Sequence, residues 1–194
     1  QPQPHIKRLH NRLMVTASAD VPLKGLIYLI RAYKSLLDTH SDLELLVVGR
    51  LREGQTMQEL DKLGIRDRVR FVSNLSGEDI RDLYAQATIA VSPSVYEGFG
   101  FPAGEALSCG VPLVSTNGGS LPEVVGDAGI VVHHSNPPAL AEAIDALLKD
   151  PERRERMSKH ARQHILDKFK WERCAREVVD MYCDTIEKFH KAKV

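Results

Sequence analysis

Residues 88–116 read TIAVSPSVYEGFGFPAGEALSCGVPLVST, and this stretch decides the fold. Thr88–Ser92 and Pro112–Ser115 are short apolar runs, as expected of strands buried on both faces. Between them lie a glycine-bearing loop, Pro93 to Gly100, and a helix. Pro102 suits a first helical turn and sets the helix start near Phe101, and Gly110 after Cys109 stops it. A strand, a helix and a second strand in so short a span make a crossover unit, whose two strands run parallel.

The same alternation continues in both directions. Leu13–Ser18, Leu43–Gly49, Val69–Val72 and Gly129–Val132 are the other strand candidates. Leu26, Ile30, Tyr33 and Leu37 recur at helical spacing and make one apolar stripe. Ser76 with Asp79 has capping-box spacing and opens a helix carrying Ile80, Leu83 and Tyr84. The pattern predicts an α/β, Rossmann-like, doubly wound parallel sheet of six strands in the order 3-2-1-4-5-6, with helices on both faces. After the sixth strand the chain turns helical, with starts at Asn136-Pro137, Asp150-Pro151 and Trp171. The last of these helices puts Trp171, Ala175, Val178, Tyr182, Ile186 and Phe189 on roughly one face.

Composition narrows the function classes. A chain of 194 residues holds one α/β domain with its own core. We expect that domain over residues 13–194, preceded by a polar linker at 1–12 containing Pro2 and Pro4. Lys+Arg and Asp+Glu number 26 each and are interspersed, so no net charge draws the chain onto nucleic acid. No apolar run reaches the length of a transmembrane span, and no signal-peptide pattern opens the sequence. Cys109, Cys174 and Cys183 are an odd set without a C-x-x-C pair, which argues against a disulfide framework or a zinc site and fits a reducing cytoplasm. Plain packing is the expectation for all three. His133 and His134 lack a surrounding Cys/His cluster, so no metal is expected there.

In a sheet of this order, ligands bind beyond the carboxyl ends of strands 1 and 4, where the strand order reverses. Three distinctive loops converge on that place. The first carries Asp20, Pro22, Lys24 and Gly25; the second is Pro93 to Gly100; the third is Thr116-Asn117-Gly118-Gly119-Ser120. Gly98 and Gly100 let backbone approach a ligand, and the helix beginning near Phe101 turns free N–H groups and its positive dipole end to the same crevice. Glu105 leans back toward that helix start, and Glu97 approaches from the strand side. Two carboxylates beside an anion site fit a ligand carrying both phosphate and vicinal hydroxyls. Taken singly, each has a bland reading. Glu105 suits any helix N-terminus, Lys24 any solvated surface, Ser120 with Glu123 a capping box, and Glu152 to Arg156 a solvated face.

Residues Pro93 to Val114, with Glu97 and Glu105 separated by seven residues, resemble the signature of group-1 (family 4) retaining glycosyltransferases. The resemblance extends to Lys24-Gly25, Gly118-Gly119, Pro122-Glu123 and Phe169 to Trp171, and so covers the chain from about Leu13 onward. It implies the second, donor-binding half of a GT-B enzyme. The catalytic candidates are then Lys24 on the diphosphate and Glu97 on the transferred sugar. Gly98, Phe99, Gly100, Gly118 and Gly119 would line the sugar nucleotide, Glu105 would hold the ribose hydroxyls, and Phe71–Leu75, with Asn74, would lie beside the base. The implied partners are a nucleoside-diphosphate sugar, as substrate rather than cofactor, and an N-terminal acceptor-binding domain, to which the last helix could cross back. Many relatives carry an Arg shortly before the Lys; here that place is Ser18-Ala19-Asp20. Two other functions share these residues. Gly98-x-Gly100 is similar to the glycine loop of dinucleotide-dependent oxidoreductases, although it follows the fourth strand and the third glycine falls at Gly104. A non-catalytic sugar-nucleotide sensor would use the same fold.

Overall fold

The computed structural model describes residues 3, 5–17 and 21–192. Six parallel strands form one sheet: β1 (Arg12–Thr16), β2 (Glu44–Val48), β3 (Val69–Val72), β4 (Ile89–Ser92), β5 (Leu113–Thr116) and β6 (Ile130–Val132). Their order across the sheet is β3-β2-β1-β4-β5-β6, the doubly wound order expected from the alternation. The Ser18 end of the first strand and the Ser18-Ala19-Asp20 loop lie outside the described residues.

Eight helices accompany the strands among the described residues: α1 (Leu26–Leu36), α2 (Gln55–Leu63), α3 (Gly77–Gln86), α4 (Phe101–Ser108), α5 (Leu121–Val125), α6 (Pro137–Lys149), α7 (Pro151–Lys168) and α8 (Trp171–Lys191). Successive strand residues point to opposite faces, which builds two apolar layers. Leu13, Val15, Ile89, Val91 and Val114 join α1, α2 and α6 on one face. Met14, Ala90 and Leu113 join α3, α4, α5 and α7 on the other. The stripe on α1 supplies Leu26, Ile30 and Tyr33 to the first layer, with Leu37 half-buried against it.

Helix ends follow their local chemistry. Ser76 and Asp79 form a reciprocal capping box on α3, with Asp79 N to Ser76 Oγ at 3.1 Å and Ser76 N to Asp79 Oδ2 at 2.8 Å. Asn136 and Asp150 accept from the N–H groups of Ala139 and Arg153 and open α6 and α7. Gly110 adopts φ +68° just beyond α4 and stops it. Ser120 does not cap α5; its hydroxyl donates instead to the Glu97 carbonyl of the loop after β4 at 3.1 Å.

One expectation fails at the carboxyl end of the chain, that for Cys183, and the face of α8 is left open. No residue of α8 is buried, so its apolar face does not pack on this domain: Trp171 is 85 % exposed, and Val178, Tyr182, Ile186 and Phe189 are exposed with it. Cys183 shares that exposure and is not a packing residue, whereas Cys109 is buried and Cys174 intermediate. At the other end, Arg8 donates to the Gly110 carbonyl at 3.0 Å and Leu9 N to the Gln86 carbonyl at 2.9 Å, so this stretch runs bonded along the domain.

Tyr33 ties the starts of β2 and β3 to α1. Its buried hydroxyl lies 2.8 Å from the Leu43 carbonyl and 3.0 Å from that of Arg68, just ahead of β2 and β3. Tyr33→Phe should lower the unfolding free energy by about 1–2 kcal/mol, read as a lower denaturation midpoint at unchanged slope. An unchanged midpoint would show that these bonds contribute nothing net.

Candidate functional site

The carboxyl edge of the sheet is organised around the backbone of Pro93 to Glu97, which leaves β4. Neighbouring loops press directly against it. A side chain on Gly25 would collide with the Pro93 carbonyl, and Gly25 also sits at φ +64°. A side chain on Gly118 would meet the carbonyls of Ser94 and Val95, and one on Gly119 the backbone of Glu97. Hydrogen bonds fix the approach: Val95 N to the Leu23 carbonyl at 2.8 Å, Ser120 N to the Glu97 carbonyl at 3.1 Å, and the Thr116 hydroxyl to the Ser94 carbonyl. Lys24-Gly25 and Gly118-Gly119 are thus glycine motifs because backbone must touch backbone there.

This packing brings Lys24 and Glu97 together. Lys24 Nζ lies 2.7 Å from Glu97 Oε1, and the hydroxyl of the buried Ser94 donates to the same oxygen at 2.8 Å. The sequence places the two side chains in one crevice; their direct ion pair, and the part of Ser94, are findings of the structure. Beside them the chain enters α4 through Gly100, at φ +93°. The N–H groups of Gly98, Phe99, Gly100 and Phe101 make no hydrogen bond within the described residues. Four free donors at a helix N-terminus favour an anion.

Glu105 stands apart from that pair. It lines a small hollow with Tyr84 of α3, whose hydroxyl is 3.1 Å from Thr16 Oγ1 at the end of β1 and donates to the Pro102 carbonyl at 3.1 Å. Burial raises the Glu105 carboxyl above its ordinary value, and the neighbouring Tyr84 hydroxyl works against that rise. Burial also raises the Tyr84 phenol. Asn74, left-handed at φ +59° after β3, accepts from Arg50 of the β2 loop at 3.0 Å. Phe99 lies tilted against Phe101 at 4.8 Å and meets Phe169 edge-on at 5.9 Å, and these rings open an apolar hollow of about 390 Å³ toward Trp171.

A hollow of about 580 Å³ at the opposite, amino edge offers less chemistry. Arg12 is paired there with Glu44 at 2.8 Å, and Arg68 donates to the Ser41 carbonyl at 2.5 Å. Among the described residues no group of three or more His, Cys, Asp or Glu side chains could hold a metal ion, and no helix is long and apolar enough to cross a membrane. Tyr84 and Ser94 escaped the sequence reading because each looks like ordinary packing: one sits in an apolar stripe, the other beside a proline.

Fold and motifs converge on one class, and comparison with known proteins agrees. Residues 1–164 match the family model for glycosyl transferases group 1, and the chain belongs to that family. It is 38 % identical over 184 residues to the MMP alpha-(1->4)-mannosyltransferase of Mycolicibacterium hassiacum, a match covering 93 % of this chain and 44 % of that protein. Sucrose-phosphate synthase from Thermosynechococcus elongatus superposes with a TM-score of 0.76 at 26 % identity, over 92 % of this chain and 46 % of that one. Anabaena HepE, solved in complex with UDP, shares the fold with a TM-score of 0.79 at 21 % identity, over 90 % and 49 % of the two chains. The chain therefore spans less than half the length of these relatives, and its fold is that of GT-B carboxyl-terminal domains.

Two outcomes follow from this geometry. Gly25→Ala should cost at least about 2 kcal/mol, because a left-handed alanine and a backbone collision act together; a melting temperature equal to wild type would mean that the loops are not held in contact. A folded chain that keeps the Glu105 proton more tightly than the unfolded chain is favoured by acid. That contribution is whole below the ordinary carboxyl range and is lost as pH rises through the elevated value. Glu105→Gln should therefore melt higher than wild type near neutral pH, with the gap closing toward roughly pH 4. A gap that does not change with pH would contradict the burial account.

Proposed function

We propose that this chain is the donor-binding domain of a retaining glycosyltransferase, and that it holds a nucleoside-diphosphate sugar along the carboxyl edge of the sheet. The observation that carries this reading is the juxtaposition of the Lys24 ammonium, the four free N–H groups at the start of α4 and two carboxylates of different environment. Lys24 and the α4 terminus receive the diphosphate, Glu97 the hydroxyls of the transferred sugar, and Glu105 the ribose diol. Gly98, Phe99, Gly100, Gly118 and Gly119 provide backbone close to the donor, and Asn74 lies beside the base. The donor is a substrate; the reaction so read uses no cofactor and no metal.

Transfer breaks the bond between the sugar's anomeric carbon and the diphosphate oxygen while an acceptor hydroxyl oxygen adds on the same face. Negative charge grows on the departing diphosphate. Lys24 and the α4 N-terminus are already aimed there, so they stabilise the transition state without reorganising. The acceptor belongs to a separate N-terminal domain, which supplies the second wall of the cleft. The match to less than half of each relative's length supports that division, as does α8, whose apolar face lacks a partner on this domain and would cross to the other.

The free site already pairs Lys24 with Glu97, so an arriving diphosphate competes with a resident carboxylate. Glu97→Gln should bind free UDP or GDP at least as tightly as wild type, by up to about 1 kcal/mol, yet slow transfer in the full-length enzyme. Lys24→Ala should weaken both nucleotides by roughly 1.5–3 kcal/mol. Calorimetry on the two variants separates the roles. Equal losses for Glu97→Gln and Lys24→Ala would refute the assignment, and binding of NAD in preference to either diphosphate would overturn the donor reading itself.

A further inference from the structure

Glu97 is held at one of its two carboxylate oxygens. Oε1 receives the Lys24 ammonium at 2.7 Å and the Ser94 hydroxyl at 2.8 Å, and Oε2 makes no hydrogen bond among the described residues. The two donors differ in kind. The Lys24 side chain is 31 % exposed, whereas Ser94 is 3 % exposed and out of reach of water. An ammonium that also serves a diphosphate divides its three N–H groups between two acceptors, so its hold on Glu97 changes when a donor arrives. The Ser94 hydroxyl has one proton, and a charged acceptor is its strongest available partner.

Ser94 is itself fixed in place. Its carbonyl accepts from the Thr116 hydroxyl, and Gly118 lies against that carbonyl too closely for any side chain. The next N–H, of Val95, donates to the Leu23 carbonyl at 2.8 Å. The Glu97 backbone is pinned in the same way, since its carbonyl accepts from both the N–H and the hydroxyl of Ser120, each at 3.1 Å. With both backbones pinned, the freedom left to Glu97 is in the side-chain torsions that lead to its carboxylate. A hydroxyl on a fixed backbone selects among those rotamers and leaves Oε2 available to a ligand.

We propose that Ser94 is a positioning residue for the transferred sugar: its buried hydroxyl holds Glu97 Oε1 so that Oε2 accepts from the sugar hydroxyls of a nucleoside-diphosphate sugar, and it keeps that hold when Lys24 turns to the diphosphate. This rests on the assignment of Glu97 to the sugar made above. Ser94 touches neither the substrate nor the reacting atoms and acts through Glu97 alone. Its effect is therefore selective. A free nucleoside diphosphate has no sugar for Glu97 to meet and should be nearly indifferent to Ser94, whereas the sugar-bearing donor should not.

The test is Ser94→Ala in this chain, alone and combined with Glu97→Ala, with calorimetry on UDP, UDP-glucose, GDP and GDP-mannose. The readout is the affinity for the sugar-bearing donor relative to that for the same free diphosphate. Ser94→Ala should lower this ratio on the order of fivefold, while the free diphosphate binds nearly as in wild type. In the Glu97→Ala background the same substitution should leave the ratio unchanged, because no carboxylate remains to be positioned. Should Ser94→Ala fail to fold, Ser94→Cys keeps the side chain's shape with a much weaker donor and should move the ratio in the same direction. An unchanged ratio, equal losses on free and sugar-bearing nucleotides, or a loss that persists in the Glu97→Ala background overturns the inference while the donor reading stands. If Glu97→Ala itself leaves the ratio at its wild-type value, the Glu97 assignment falls and this inference with it, while the diphosphate site stands. Failure of wild type to bind any of the four ligands sinks the donor reading and this inference together.

Discussion

The structure depends on the contact of backbone with backbone at Pro93 to Glu97. Three glycines, Gly25, Gly118 and Gly119, lie so close to this segment that any side chain would collide with it. The hydrogen bonds from Val95, Ser120 and Thr116 close what the glycines allow. The turn at Leu23 to Gly25 and the loops after β4 and β5 thereby form one surface, although each alone would be a mobile connection. Lys24 owes its place to this contact: the turn carrying it is held by the Val95 to Leu23 bond, which sets the ammonium 2.7 Å from Glu97.

Two kinds of carboxylate result. Glu97 is compensated by a cation and by the hydroxyl of Ser94, so its charge is held at the β4 loop. Among the described residues Glu105 has no ion-pair partner; burial disfavours its charge, and the neighbouring Tyr84 hydroxyl opposes that. A carboxyl group that burial makes costly to ionise, at the edge of a hollow, is the environment expected of a functional carboxylate rather than a decorative helix cap. The α4 N-terminus lies between the two, offering N–H groups without a fixed charge of its own. Rigid donors and acceptors in fixed positions lower the cost of ordering a ligand.

Much of the architecture is legible in the residues. Alternating short apolar runs and helical stripes give the strand order, because parallel strands require crossovers of one hand. Ser76, Asn136 and Asp150 announce their helices by local chemistry that tertiary context does not change. What periodicity cannot supply is the identity of a partner. The stripe on α8 marks a face suited to burial, and the structure leaves that face exposed. The short helix α2 buries only Thr56 and Leu60, too few to make a stripe. Ser120 has capping-box spacing, but a carbonyl on another loop captures its hydroxyl. The candidate site was legible as a place and as a set of residue types. The Lys24–Glu97 pair and the Tyr84 bridge between Thr16 and Pro102 were not, since both arise from segments far apart in the chain.

The account's central claim is that the carboxyl edge around the Pro93–Glu97 backbone receives a nucleoside diphosphate. The most direct measurement is amide chemical-shift mapping on nitrogen-15-labelled chain titrated with UDP and with GDP. The account predicts saturable shifts concentrated at Gly98 to Ala103, Gly118 to Ser120 and Lys24-Gly25 for at least one of the two. Shifts confined to the amino edge near Arg12 and Arg68, or no saturable shifts with either nucleotide, would contradict it.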